Sequence, residues 1–285
     1  MRFFVSSGTG EEGVDMRLEE AQGASLSGVV ISDVGFLRPN NEDNYILGSH
    51  INENALRHSE AVLAKAPGDW QIAGVFDGMG GGELGEVAAR MAAAVFRDRT
   101  GSALDGRSKA EIDDVLRGAF LEANNRIVEL QKRSGILGTT GTLICVHGGA
   151  FKMYHLGDSR GYLFRQHGLL RLTRDQTLAQ MRLDAGICGQ NDPRIEADRH
   201  KLTNYIGKDR TGENLRPAES RWLPLLPGDR ILLCTDGLYN ACPEEEIRQI
   251  LDEHGTILDK AGRLVRGALS GGGQDNITCL LLSFS

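Results

Sequence analysis

Apolar periodicity along this chain changes in blocks, and that grouping restricts the possible fold more than any other feature. Short strand-like runs come first, at 28–33, 44–47 and 71–76. Two helical patterns follow. Val87, Met91, Ala94 and Val95 repeat at helical spacing, then Ile112, Val115, Leu116, Ala119, Phe120, Ala123, Ile127 and Leu130 form a longer amphipathic stripe, entered through Ser108 as N-cap. The period then reverts to strands at 142–146, 151–156, 161–164 and 170–173, joined by glycine-bearing turns as in an antiparallel meander. Residues 178–221 read as irregular with one short helix. A strand at 230–234, helices at 244–251 and 257–268, and a strand at 277–284 complete the pattern. Strands in runs and helices in consecutive pairs predict an α+β layered domain, sheets inside and helix pairs outside, rather than a βαβ repeat. Residues 1–26 read as an N-terminal extension, 27–285 as the domain proper, and the polar stretch 49–67 as a surface insertion.

Composition narrows the function. The 285 residues carry 32 Lys+Arg against 39 Asp+Glu, a formal charge of −7. That balance disfavours a nucleic-acid binder, which needs clustered positive charge. No apolar run approaches the ~20 residues of a membrane helix, and the first residues lack a secretory apolar stretch, so a cytoplasmic location without membrane contact is expected. A monomer is expected too. Five cysteines lack any CxxC spacing, and Cys145, Cys234 and Cys279 sit inside strand-like runs, as buried free thiols would. The 37 glycines show no collagen-like period and mark turns and close backbone approaches.

Aspartate recurs where apolar runs end: Val75-Phe76-Asp77-Gly78, His155-Leu156-Gly157-Asp158, Leu233-Cys234-Thr235-Asp236-Gly237, and Gln274-Asp275-Asn276 leading into a strand. Any one Asp-Gly is an ordinary turn. Four carboxylates delivered to one sheet rim repel strongly unless cations neutralise them. Oxygen donors without a His or Cys cluster suit Mg²⁺ or Mn²⁺ rather than Zn²⁺.

These residues sit in a longer pattern. Ser32-Asp33-Val34-Gly35, Arg38 and Asn41-Glu42-Asp43 are followed by Val75-Phe76-Asp77-Gly78-Met79-Gly80-Gly81 with Gly85-Glu86. Then come Gly138-Thr139-Thr140, Gly157-Asp158-Ser159-Arg160, Leu172-Thr173 with Asp175, Thr235-Asp236-Gly237-Leu238, and Gly272 with Asp275-Asn276 and Thr278. Seven blocks in this order resemble the type 2C, metal-dependent protein serine/threonine phosphatases, in their bacterial branch. The resemblance runs from about residue 27 to 284 and implies a four-layer α-β-β-α sandwich. It implies a binuclear Mn²⁺ or Mg²⁺ centre in which Asp77 bridges both ions and the Gly78 carbonyl binds one. Asp236 and Asp275 bind the other, and Glu42 holds a water beside them. Asp158 with Asp236 serves a third, weaker ion, and Arg38 grips the phosphate. The implied reaction is hydrolysis of phosphoserine or phosphothreonine on proteins by an activated water, opposing a partner Ser/Thr kinase.

Some features depart from that pattern. Met79 stands where some relatives carry a His and cannot donate a proton, and Gln176 stands where a His is frequent. Residues 178–216 correspond to a variable flap, read here as a mobile loop. Gly80 to Gly85 fits GxGxxG, but the following helix leads to another helix instead of a returning parallel strand. Gly157-Asp158-Ser159-Arg160-Gly161 fits the GxSxG elbow of serine hydrolases, the remote alternative. A phosphatase-like module that binds partners with little turnover is the nearer one, and intact carboxylates and Arg38 argue against it.

Overall fold

The computed structural model describes residues 26–54, 56–65, 70–80, 84–100, 104–209 and 215–285. The expected N-terminal extension, Leu26 apart, lies outside them. Two antiparallel sheets form the centre. The first has the order β3 (His58–Lys65), β1 (Leu26–Asp33), β13 (Ile277–Phe284), β12 (Arg230–Cys234), β8 (Arg160–Arg165), β9 (Gly168–Arg171). The second runs β10 (Ala218–Glu219), β7 (Ala150–Leu156), β6 (Gly141–His147), β4 (Gln71–Gly80), β2 (Asp43–Leu47), with β11 (Leu223–Pro224) on β7 and β5 (Leu137–Thr139) on β4.

Three apolar layers hold the sandwich. Val30, Leu47, Val75, Met153, Leu233 and Leu280 pack between the sheets. The helices α1 (Leu84–Thr100) and α2 (Lys109–Ser134) cover the second sheet. Four buried alanines on α1, Ala88, Ala89, Ala92 and Ala93, bring its backbone close to the strands, with Phe76, Phe96 and Phe120 filling beside them. The helices α5 (Asp236–Tyr239), α6 (Glu244–Asp252) and α7 (Ile257–Ser270) cover the first sheet. The four-layer α-β-β-α arrangement is therefore as expected. Ser108 caps α2 in a reciprocal capping box with Glu111. The β8–β9 hairpin turns through Gln166 and His167, both at positive φ, as a two-residue turn matched to strand twist requires. Cys145, Cys234, Cys242 and Cys279 are buried free thiols and Cys188 is half-buried.

The expectations differ from the structure most in two places. The stretch read as a surface insertion contains β3, paired along its length with β1 from Ser59↔Ser32 to Ala64↔Ser27. It is an edge strand, and an edge strand with one wet face carries the polar residues of a loop. The region read as a flap with one helix holds two, α3 (Leu178–Asp184) and α4 (Pro193–Asp198), capped by Thr177 and Asp192. Arg182 donates to Asp198 at 2.7 Å and ties them together.

Candidate metal centre

Both sheets deliver acidic side chains to the same end of the sandwich. On the second sheet, β2 and β4 pair so that Asp43 stands directly opposite Asp77. Like charges in that position destabilise a strand pair, and here neither lies far from further carboxylates. Asp77 is held well above the ordinary carboxylate range, first by desolvation and then by Asp43, Asp236, Asp158 and Asp275. The first sheet contributes Asp236, at the start of α5 after β12, and Asp275, two residues before β13. Asp158 lies in the turn between β7 and β8. Burial, then Asp236 and Asp175, push it up to about 7. Desolvation followed by Asp236 raises Asp275 as well.

The backbone around these groups is tightly packed. Thr140 fixes Asp77 twice, its Oγ1 accepting from the Asp77 N–H and its own N–H donating to the Asp77 carbonyl, both at 2.9 Å. A Cβ on Gly78 would lie 2.2 Å from the Gly85 carbonyl oxygen and 2.5 Å from that of Glu42, so only glycine fits between them. Asn276 joins the sheets' loops: its side-chain carbonyl accepts from Glu42 N–H at 2.8 Å, and its amide donates to the carbonyls of Val34 and Asn40.

Three polar groups turn toward the carboxylates. Arg38 donates through Nη2 to Asp275 Oδ2 at 2.8 Å while its side chain stays 47% exposed. His200, just after α4, places Nδ1 3.2 Å from Asp236 Oδ2. Arg199 Nε donates to Nε2 of the same ring, so Nδ1 carries the proton directed at Asp236. Asn240 also donates to Asp236 Oδ2, at 3.2 Å. Among the described residues no three His, Cys, Asp or Glu side chains stand in finished ligating geometry. Asp275 and Asp236 are instead engaged by Arg38 and His200.

All the residues expected at the site, Arg38, Glu42, Asp77, Gly78, Asp158, Asp236 and Asp275, come to this end. Whether they fit divalent ions is answered by the donor set. It is all oxygen, it is crowded beyond what its own cations neutralise, and Glu42 Oε1 is buried without a hydrogen-bond partner. A hard cation pair with its waters satisfies each of these conditions.

Sequence reasoning passed over Asp43 and His200. Asp43 is fully buried, its Oδ2 accepting from Thr235 Oγ1 and Thr278 Oγ1 at 2.7 Å each, and desolvation still pushes it up to about 8. It sits beside Glu42 within a quoted motif, but only the β2–β4 register reveals that it faces Asp77. His200 carried no motif at all.

The serine-hydrolase alternative does not survive the geometry. Ser159 leads into strand β8, not a helix, and its hydroxyl bonds Thr140 Oγ1 at 2.6 Å in a fully buried position. Nearby His155 is engaged by Thr142 and the Arg174 carbonyl instead.

A two-sheet sandwich with helix pairs outside and carboxylates gathered at one end defines the class, and the chain belongs to the protein phosphatase 2C family, whose profile matches residues 48–270. It is 33% identical over 254 residues to the serine/threonine protein phosphatase PstP of Mycobacterium tuberculosis, a match covering 88% of this chain and 43% of that protein. The chain thus spans less than half the length of that relative. It is 31% identical to the serine/threonine phosphatase stp of Listeria monocytogenes, covering 88% of this chain and 93% of the relative. Among solved structures, the catalytic domain of PstP in complex with two manganese ions superposes with a TM-score of 0.71 at 30% identity, over 92% of this chain and 99% of that one.

Proposed function

We propose that this chain is a protein serine/threonine phosphatase that hydrolyses phosphoserine and phosphothreonine with the help of Mn²⁺ or Mg²⁺. The observation that carries the reading is the convergence of Asp77, Asp158, Asp236 and Asp275 from two sheets onto one end, with Arg38 among them. The PstP structure with manganese, at 30% identity, supports the choice of ion.

In this reading Asp77, Asp236 and Asp275 would hold the ion pair with the Gly78 carbonyl, Glu42 would orient a water through its otherwise orphaned oxygen, and Asp158 with Asp236 would serve a weaker third ion. Divalent ions bound there acidify water and offset charge on the transferring phosphoryl group. The chain's own residues do the rest. Arg38, tethered to Asp275 and half-exposed, presents a planar guanidinium suited to two phosphate oxygens at once. Asp77 is fixed by its Thr140 hydrogen bonds before substrate arrives, which lowers the reorganisation needed at the moment of reaction. Met79 offers no proton, so the leaving oxygen takes its proton from water. A partner Ser/Thr kinase would supply the phosphoprotein. No helix among the described residues is long and apolar enough to cross a membrane, and a cytoplasmic location is part of the same proposal.

The test is phosphate release from phosphothreonine, phosphoserine and phosphotyrosine peptides with Mn²⁺, Mg²⁺ or excess chelator. Turnover of the first two that needs the metal is expected. Equal rates with chelator, or phosphotyrosine as the preferred substrate, would overturn the reading.

A further inference from the structure

Two large apolar side chains stand in water immediately before Arg38. Phe36 is 68% exposed and Leu37 is 70% exposed. Single exposed apolar residues are common and need no explanation. Phe36 and Leu37, however, are the only consecutive pair among the exposed large apolar residues described.

Their loop is pinned on both flanks. Gly35, at φ +73°, packs so closely that a Cβ would lie 2.3 Å from the Asp275 carbonyl oxygen. The Gly35 N–H donates to Asp33 Oδ1 at 2.8 Å, and the Phe36 N–H donates to the Gly273 carbonyl at 2.7 Å. Asn276 holds the carbonyls of Val34 and Asn40 on either side. Phe36 lies against Gly273, next to Leu269. Fixing this loop by so many backbone contacts while leaving both side chains mostly in water gives the fold little burial in return. The same contacts fix the backbone that carries both the pair and Arg38, whose guanidinium is tethered to Asp275, so apolar surface and phosphate-gripping side chain share one pinned loop.

We infer that Phe36 and Leu37 are a specificity platform that receives a large apolar side chain of the substrate, within three residues of the phosphorylated Ser or Thr. This rests on the phosphatase reading and narrows its substrate class to segments with Leu, Ile, Met or Phe beside the phosphoresidue. Continuity selects this occupant: a peptide whose phosphate sits on Arg38 brings its neighbouring residues within reach of the adjoining loop, since consecutive Cα atoms are only 3.80 Å apart.

The test is kcat/KM on phosphothreonine peptides carrying Leu or Ser at each position from three before to three after the phosphoresidue, with p-nitrophenyl phosphate measured alongside. The readout is the Leu/Ser ratio, which is internal to each protein and so cancels any change in the metal centre. Wild type should prefer Leu by about five- to tenfold in at least one position, toward the low end of what an apolar contact contributes to selectivity because the platform is open. The ratio should fall to about one in Phe36→Ser/Leu37→Ser and persist in Phe36→Leu/Leu37→Ile. A flat wild-type profile, or a ratio unchanged in the serine variant, overturns the platform while the phosphatase reading stands. A concentration-dependent dimer of wild type abolished by the serine variant, without a change in ratio, would make the pair a self-interface and equally overturn it. Absence of metal-dependent turnover on every substrate, p-nitrophenyl phosphate included, overturns both.

Discussion

Gly35 shows how much of the site depends on a single atom that is missing. Its positive φ and its approach to the Asp275 carbonyl let the Arg38 loop dock on the Asp275 loop. Gly35→Ala must either strain the backbone or separate the loops. A loss of more than about 1 kcal/mol is expected, since alanine is penalised where φ is positive and the clash adds to that cost. Urea unfolding of the variant measures it, and a KM for phosphopeptide raised alongside would show that Arg38 has moved; an unchanged unfolding midpoint would contradict the docking described. Several residues of the centre were legible without coordinates, because Asp-Gly at the end of an apolar run states both rim position and open backbone. Asp43 was not, because its burial depends on facing Asp77 across a strand pair and on hydroxyls from Thr235 and Thr278, some 190 and 235 residues away in the chain. No local pattern encodes such a meeting.

Elements were readable in proportion to how completely one face is buried. The α2 stripe and its Ser108 N-cap could be read directly, and β13 has the boundaries the pattern gives, since a central strand is apolar on both faces. Edge strand β3 and the short α5 were missed, the first for its polarity and the second because four residues hold no period. Polar contacts between elements are likewise hidden from the sequence. Lys152 on β7 is buried, donating to Asp113 of α2 at 2.6 Å and lying 2.9 Å from Glu219 of β10. Tyr154 adds a hydrogen bond to Asp113 at 2.5 Å, and Arg117 a bidentate pair to Glu219. This network fastens the outer helix to the sheet. Lys152→Met should cost about 3 kcal/mol, the low end for breaking a buried ion pair, because Tyr154 and Arg117 still satisfy the two carboxylates. Chemical denaturation checks the value. Stability within about 0.5 kcal/mol of wild type would mean that the lysine contributes no net stabilisation.

At the scale of the whole molecule, the carboxylates oppose the sandwich that gathers them. Asp43 and Asp77 belong to one sheet, Asp236 and Asp275 to the other, and their mutual repulsion acts across the joint between the sheets. Ions held in common by both sheets would turn that repulsion into a cross-link, so the folded state should depend on metal more than a surface site would require. With Mn²⁺ at a hundredfold excess over its Kd, mass action stabilises the native state by about 2.7 kcal/mol. For a domain of this size that corresponds to roughly 5–10 °C in Tm. Asp77→Asn separates the two halves of the argument. The amide removes the carboxyl whose ionisation burial and the other carboxylates most oppose, so this variant should melt above wild type in chelator, gain little from Mn²⁺, and lose turnover. Melting both proteins with Mn²⁺ and with chelator gives four temperatures. Wild type unmoved by saturating Mn²⁺ would remove the metal centre, and Asp77→Asn melting below wild type in chelator would show that Asp77 is structurally needed rather than electrostatically strained.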